Sequence, residues 1–195
     1  MNHLAHALLA GTDPDWILGG MLGDFVHGPV SPDLRPGVQA GLRLHRAIDV
    51  YTDAHPVVVA LRAEFTPTYR RYAGIVIDVW FDHLLARDFG TWCAVPLADF
   101  SLALRTLLRQ HADELPPDLQ RFLHYMERSD LPLAYRDVGV IGRVFGGIGM
   151  RLSRANPLAS ALEETARLES AFATAFAAFF PQLVEFAAQW RAQNA

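Results

Sequence analysis

The chain has no lysine, and all 17 of its basic residues are arginine. Set against 21 acidic residues they leave a formal charge of −4, which gives no general attraction to nucleic acid or to an anionic membrane surface. Codon bias in a GC-rich genome accounts for the arginine excess. Any phosphate contact must nevertheless use the planar, two-donor guanidinium fork. Cysteine is reduced to Cys93, so no internal disulfide can form and a reducing compartment is expected. With no local signature around it, that thiol reads as a small packed group and not as a nucleophile. No uncharged apolar run approaches the ~20 residues of a membrane span. The first residues lack basic side chains, and Asp13, Asp15 and Asp24 interrupt their apolar character, which speaks against a secretory leader. A cytoplasmic protein is expected, with neither nucleic acid nor membrane as partner. Strand-like alternation is scarce, and internal repeats and low-complexity tracts are absent.

What is present is helical periodicity in a chain of 195 residues, 51% apolar and 19% charged, enough for one folded domain over 1–195. HLAHALLA (3–10) is a short helix ending at Gly11. Residues 15–26 form a second, with Asp13 or Asp15 as its cap and Pro14 near its start. Three prolines and two glycines make 28–37 a loop. Helices are expected over 38–54, from Pro56 to Phe65, and from Thr66–Pro67 to about Asp88. Further ones cover 97–115, 117–130 and Leu131 into the 150s. The last runs from Pro157 to Arg191, kinked or broken at Pro181. The fold class is therefore all-α, a single-domain helical bundle of roughly eight helices.

Acidic and imidazole side chains gather in the first half. Six of the eight histidines (3, 6, 27, 45, 55 and 83) lie within the first 83 residues, among Asp24, Asp49, Asp53, Asp78 and Asp82. In GLRLHRAIDVYTDAHP (41–56), His45, Asp49 and Asp53 recur every fourth position and share one helix face. In IVIDVWFDHLL (75–85), Asp78 and Asp82 stand one turn apart and His83 follows directly. Burying ionised carboxylates in such apolar frames is costly unless a cation or a donor compensates. A divalent metal bound by carboxylate and imidazole is one solution. Ordinary ion pairs are the other: Asp49 with Arg46, or Asp82 with Arg70 or Arg71.

Four segments carry a resemblance. MNHLAHALLA, LGDFVHG, GLRLHRAIDVYTD and RRYAGIVIDVWFDHLLA, followed by LAYRDVGVIGRVFGGIGMRLSRANPL (133–158), are similar to the acyl carrier protein phosphodiesterase family, itself distantly similar to HD-type metal-dependent phosphohydrolases. The resemblance implies hydrolysis of the phosphodiester joining 4′-phosphopantetheine to a serine of holo acyl carrier protein. It also implies an HD-like site for a divalent cation, commonly Mn2+, with Mg2+, Fe2+ or Co2+ as alternatives. The family pattern matches Asn2, His6, Asp24, His45, Arg46, Asp49, Asp53, Asp78, Asp82 and His83, and later Tyr135, Arg136, Asp137, Ser153 and Arg154. His3 and His55 are not fixed parts of it, and Asp82–His83 reverses the order of the HD pair.

From these residues, Asp24, His45, Asp78, Asp82 and His83 are expected to ligate the metal. Asp49 and Asp53 would orient the imidazoles or the attacking water, and Arg46 would clamp the phosphate and assist catalysis. Arg151 and Arg154, with Asn2 and His6, are expected to bind substrate. An acidic carrier protein needs a basic patch on a partner of charge −4, and Arg143, Arg151 and Arg154 share one face if 140–154 is a single helix. Arg62, Arg70 and Arg71 form a second candidate patch. Two other readings stay open: a phosphohydrolase acting on a nucleotide or another small phosphodiester, with Tyr51, Tyr72 or Trp80 stacking on a base, and a non-catalytic helical binding protein.

Overall fold

Five helices begin on a proline, at Pro14, Pro36, Pro56, Pro67 and Pro117. There the missing N–H would be unpaired anyway, and the fixed φ is already helical. In the computed structural model, which describes residues 1–194, eleven α-helices follow one another. They are α1 His3–Leu9, α2 Pro14–Leu22, α3 Pro36–Ala54, α4 Pro56–Ala63, α5 Pro67–Arg70, α6 Ala73–Arg87, α7 Leu97–Gln110, α8 Pro117–Arg128, α9 Val138–Arg151, α10 Ala161–Arg167 and α11 Glu169–Asn194. Short 3-10 turns occupy Phe89–Thr91, Ala112–Glu114, Leu133–Arg136 and Leu158–Ser160, and no strand occurs among the described residues. The architecture is all-α, as expected. The helices outnumber the nine segments expected along the chain because 66–88 divides at Arg71–Tyr72 and the last segment divides at Leu168. Asp13 caps α2 by accepting from the Asp15 and Trp16 amides, and Asp137 caps α9 through Gly139.

α6 is the central helix. Val76, Ile77, Val79, Phe81, Leu84 and Leu85 are buried on several of its sides, against α1, α9, α10 and α11. α11 supplies Phe172, Phe176, Phe179, Phe180 and Leu183 to the same core. It continues as one helix through Pro181, so the expected break does not occur there. Pro181 and Ala177, whose carbonyl loses its partner, both lie on the exposed face, so water can satisfy that carbonyl. The flanking buried phenylalanines hold both halves in register. By length and composition α11 could also span a membrane, but here its phenylalanines Phe172, Phe176, Phe179 and Phe180 are buried in the core.

α2 and α3 make the most intimate contact in the fold. A Cβ on Gly19 would fall 2.2 Å from the Val38 carbonyl oxygen, and one on Gly41 would fall 2.1 Å from that of Trp16. Only paired glycines let these two backbones touch. That contact fixes the distance between the end of α2 and the middle of α3, where the imidazoles and carboxylates meet.

Candidate metal centre

His45 projects from α3 toward the C-terminal end of α2 and is 3% exposed. A Cβ on Gly23 would lie 2.1 Å from its ring, so the glycine of LGDF is what lets the imidazole in. His45 Nδ1 lies 2.8 Å from the Gly20 carbonyl oxygen, a bond that requires the proton on Nδ1. Nε2 then faces Asp49 Oδ2 at 3.2 Å and Asp24 Oδ1 at 3.6 Å. The His6 ring stacks on it with centroids 3.7 Å apart. His6 Nε2 is 3.2 Å from Asp49 Oδ1 and 3.1 Å from the Met1 carbonyl, and its Nδ1 is buried with no hydrogen-bond partner. His3, on the same face of α1 as His6, reaches Asp24 Oδ2 with Nδ1 at 3.4 Å.

The charges are strongly coupled. Burial works against charge on His45, but the bonds to Asp24 and Asp49 outweigh it and raise its pKa to about 9. Burial and the neighbouring His45 charge bring His6 down to about 4. Burial also lowers His3. Asp24 and Asp49 fall well below the usual carboxylate range, because the imidazoles overcome the desolvation that would raise them. Of the two stacked rings only His45 is held as the charged imidazolium; two imidazolium rings in contact would repel.

This donor set suits a divalent cation. Without added positive charge, the Nε2 lone pair of His45 would point at two carboxylates. A proton or a metal ion resolves the conflict, and the backbone-anchored Nδ1–H is the usual way a ligating imidazole is held. Ligand atoms of His6, His45 and Asp49 lie within 4.8 Å of one another. Mixed nitrogen and oxygen donors of this kind fit first-row divalent metals.

The remaining residues divide between this cluster and other tasks. Asp78 borders it, with Oδ1 3.0 Å from the Met1 ammonium. Asp82 is fully buried and accepts from the Leu4 and Ala5 amides at 2.8 and 3.1 Å, so a side chain of α6 caps α1. His83 points elsewhere, with Nδ1 2.8 Å from the Tyr135 carbonyl oxygen and its ring against Trp80. Arg46 donates to the Val26 carbonyl at 3.1 Å and lines a separate open groove with Tyr51, His55 and Trp190. Asp53 pairs with Arg62 at the surface. Neither expected arginine partner holds Asp49 or Asp82.

From Asp24 the cluster opens onto a cavity of about 520 Å³ whose wall includes Asn2, His3, Phe25, Phe122, Tyr135 and Arg151. Arg151 is the last residue of α9, and Arg154 lies beyond it on an exposed turn, so the expected three-arginine helix face is cut short. Tyr51 is at the other groove, Trp80 is buried in the core, and Tyr72 reaches the Ala155 carbonyl. The aromatic residues at the cavity are instead Phe25, Phe122, Tyr125 and Tyr135. Sequence reasoning passed over His3 as a site residue, although its spacing from His6 put the two on one face. It had no signal for Phe122, which comes from α8 and packs 4.3 Å from His3.

Comparison with known proteins bears on this geometry. The family model described as acyl carrier protein phosphodiesterase matches residues 1–183. A protein of that name from Serratia proteamaculans (strain 568) is 34% identical over 186 residues, covering 95% of this chain and 96% of that protein. One from Photorhabdus laumondii subsp. laumondii is 32% identical over 188 residues, 95% of this chain and 94% of its own length. One from Escherichia coli O45:K1 (strain S88) is 32% identical over 190 residues, 97% and 98%. No solved structure matches the chain. On a match this long, the chain belongs to the acyl carrier protein phosphodiesterase family.

Proposed function

We propose that the chain hydrolyses the phosphodiester between 4′-phosphopantetheine and the serine of holo acyl carrier protein, using a divalent metal. The observation that supports this most directly is the stacked His6–His45 pair facing Asp24 and Asp49 beside a cavity that also carries Arg151. In the reaction a water oxygen bonds to phosphorus, the bond from phosphorus to the serine oxygen breaks, and a proton ends on that oxygen. The products are the apo carrier protein and 4′-phosphopantetheine.

His6, His45, Asp49 and Asp24 would hold the ion, with Asp78 at its margin; Mn2+ is the ion expected, and Mg2+, Fe2+ and Co2+ are the alternatives. A divalent cation there supplies positive charge for the phosphoryl oxygens and makes water more acidic. The Gly20 carbonyl keeps His45 in the tautomer that leaves Nε2 free. Arg151, on the cavity wall, offers its guanidinium fork to the nonbridging oxygens in the role first expected of Arg46. Asn2 and His3 border the same space. Asp82 would serve the scaffold, since both its oxygens accept from the start of α1, and His83 faces Tyr135 and Trp80 away from the cluster. The carrier protein would dock over Arg151 and Arg154, and a cytoplasmic location follows from such a partner.

The test is to incubate holo carrier protein with the purified protein and Mn2+ and to follow loss of the phosphopantetheine mass by mass spectrometry. Loss is expected, abolished by chelator and by His45→Ala and retained in His83→Gln. Intact holo protein after long incubation with metal, or cleavage that persists in chelator, would overturn the proposal.

A further inference from the structure

α9 contains two glycines that the fold does not use. Elsewhere in this helix a Cβ on Gly142 would meet Leu162 at 2.8 Å, and one on Gly149 would meet Asn156 at 2.8 Å. At Gly146 and Gly147 a Cβ would meet nothing within 4 Å. Both therefore weaken a helix interior relative to alanine with no packing return. Gly147 differs from Gly146 in one respect: it lines the cavity that starts at Asp24. Its bare backbone keeps that space open.

A second observation concerns Tyr135. It is 2% exposed and lines the same cavity, and among the described residues no protein hydrogen bond engages its hydroxyl. Asn2, at the Asp24 end, makes no capping bond with its side chain. The walls also carry Phe25, Phe122, Leu131, Val144 and Ile148, with the exposed Asp118–Arg121 pair beside them. The volume, about 520 Å³, is within the ~300–1,000 Å³ of small-molecule sites.

We infer that this cavity holds the pantetheine arm of the substrate, with Gly147 as the bare backbone it passes over and Tyr135 as the hydrogen-bond donor to one of its amides. The inference rests on the function proposed above and adds where selectivity for the arm resides. The phosphate end lies at Asp24, His3 and Arg151. The branched dimethyl carbon next to it meets Phe25 and Phe122, and the amides further along meet Tyr135. A purely aliphatic chain filling the cavity would cover the Tyr135 hydroxyl and the Asn2 amide without pairing them, which is costly for polar groups once buried. The arm alternates short apolar stretches with amides and so satisfies both kinds of wall.

Binding of free 4′-phosphopantetheine and of methyl phosphate to the Mn2+-loaded protein, measured by calorimetry, tests this. The wild type should prefer phosphopantetheine. Gly147→Leu should weaken phosphopantetheine about tenfold or more by filling the cavity, and leave methyl phosphate unchanged. Gly146→Leu should alter neither, and both leucine variants should melt no lower than wild type. Tyr135→Phe, which keeps the ring, should weaken phosphopantetheine about fivefold. It carries the test if Gly147→Leu does not fold. Equal binding of both ligands by the wild type, or wild-type binding of phosphopantetheine by Gly147→Leu or by a folded Tyr135→Phe, would overturn the inference. Failure of the wild type to cleave holo carrier protein would instead overturn the proposed function, so the two failures are distinguishable.

Discussion

Asp82 separates a scaffold role from a ligand role. Its carboxylate accepts two amide hydrogens at the start of α1, at 2.8 and 3.1 Å, in a fully buried position. Asp82→Ala leaves both amides buried and unpaired. Each hydrogen bond to a charged group is worth about 1.5–3 kcal/mol, so the pair amounts to roughly 3–6 kcal/mol. Burial raises the Asp82 pKa to about 7 even though the Leu4 and Ala5 amides pull it down, so part of that gain is already offset. The lower end, about 3 kcal/mol, is expected, which for a chain of this size is a fall in Tm of roughly 6–12 °C. Asp82→Asn keeps one acceptor and should fall in between. The assay is thermal unfolding followed by circular dichroism, with Mn2+ and with chelator. A capping role predicts the loss in both conditions. If Asp82 were instead a ligand, the chelated variant would melt with the chelated wild type and the difference would appear only with metal. That second result would refute the argument.

Gly23→Ala puts a methyl group where the His45 ring sits; it should cost about 1–3 kcal/mol in stability and weaken Mn2+ binding at least about tenfold, read by denaturation and calorimetry. The raised pKa of His45 makes metal binding release a proton, so affinity should rise with pH toward about 9, by close to tenfold per unit in a pH series of titrations. For the metal-free protein the sign is opposite. The stabilisation from charged His45 is complete below about 6.5 and is lost as pH climbs through about 9, so Tm in chelator should decline over that interval. Arg151→Glu should raise KM for holo carrier protein and flatten its salt dependence, while Arg154→Glu, on the exposed turn, should have the smaller effect; steady-state kinetics at two ionic strengths separates them.

Much of the scaffold could be read because its signals are local. Prolines mark five helix starts, and the apolar faces of α7 and α8 repeat at the helical period. The four-residue spacing of His45 and Asp49 put both on one face of α3, and the structure keeps them 3.2 Å apart. Asp53 continues that spacing on paper, yet it lies near the end of α3 and pairs with Arg62. The division between α5 and α6 has no proline or glycine to announce it. Asp82 and His83 are neighbours in sequence but about 100° apart around a helix, so they serve different surroundings. Capping of α1 by a side chain 78 positions away leaves no local trace at all. The same is true of Phe122 against His3, and of the Gly20 carbonyl that orients His45.

These long-range contacts also explain why the cluster sits where it does. α1 has seven residues, too short to be helical alone, and it carries both His3 and His6. Asp82 pins its first turn, while Leu4, Ala5 and Ala7 are buried against the core. The docked position of α1 places His6 on His45 and His3 against Asp24. The paired glycines of α2 and α3 place His45 against Gly20 and Asp24. A divalent cation at this cluster would displace the Nε2 proton of His45, while its Nδ1–H stays on the Gly20 carbonyl. The burial of Asp82 is therefore tied to the arrangement of the candidate metal centre: the α6 carboxylate that caps α1 holds the α1 imidazoles in place.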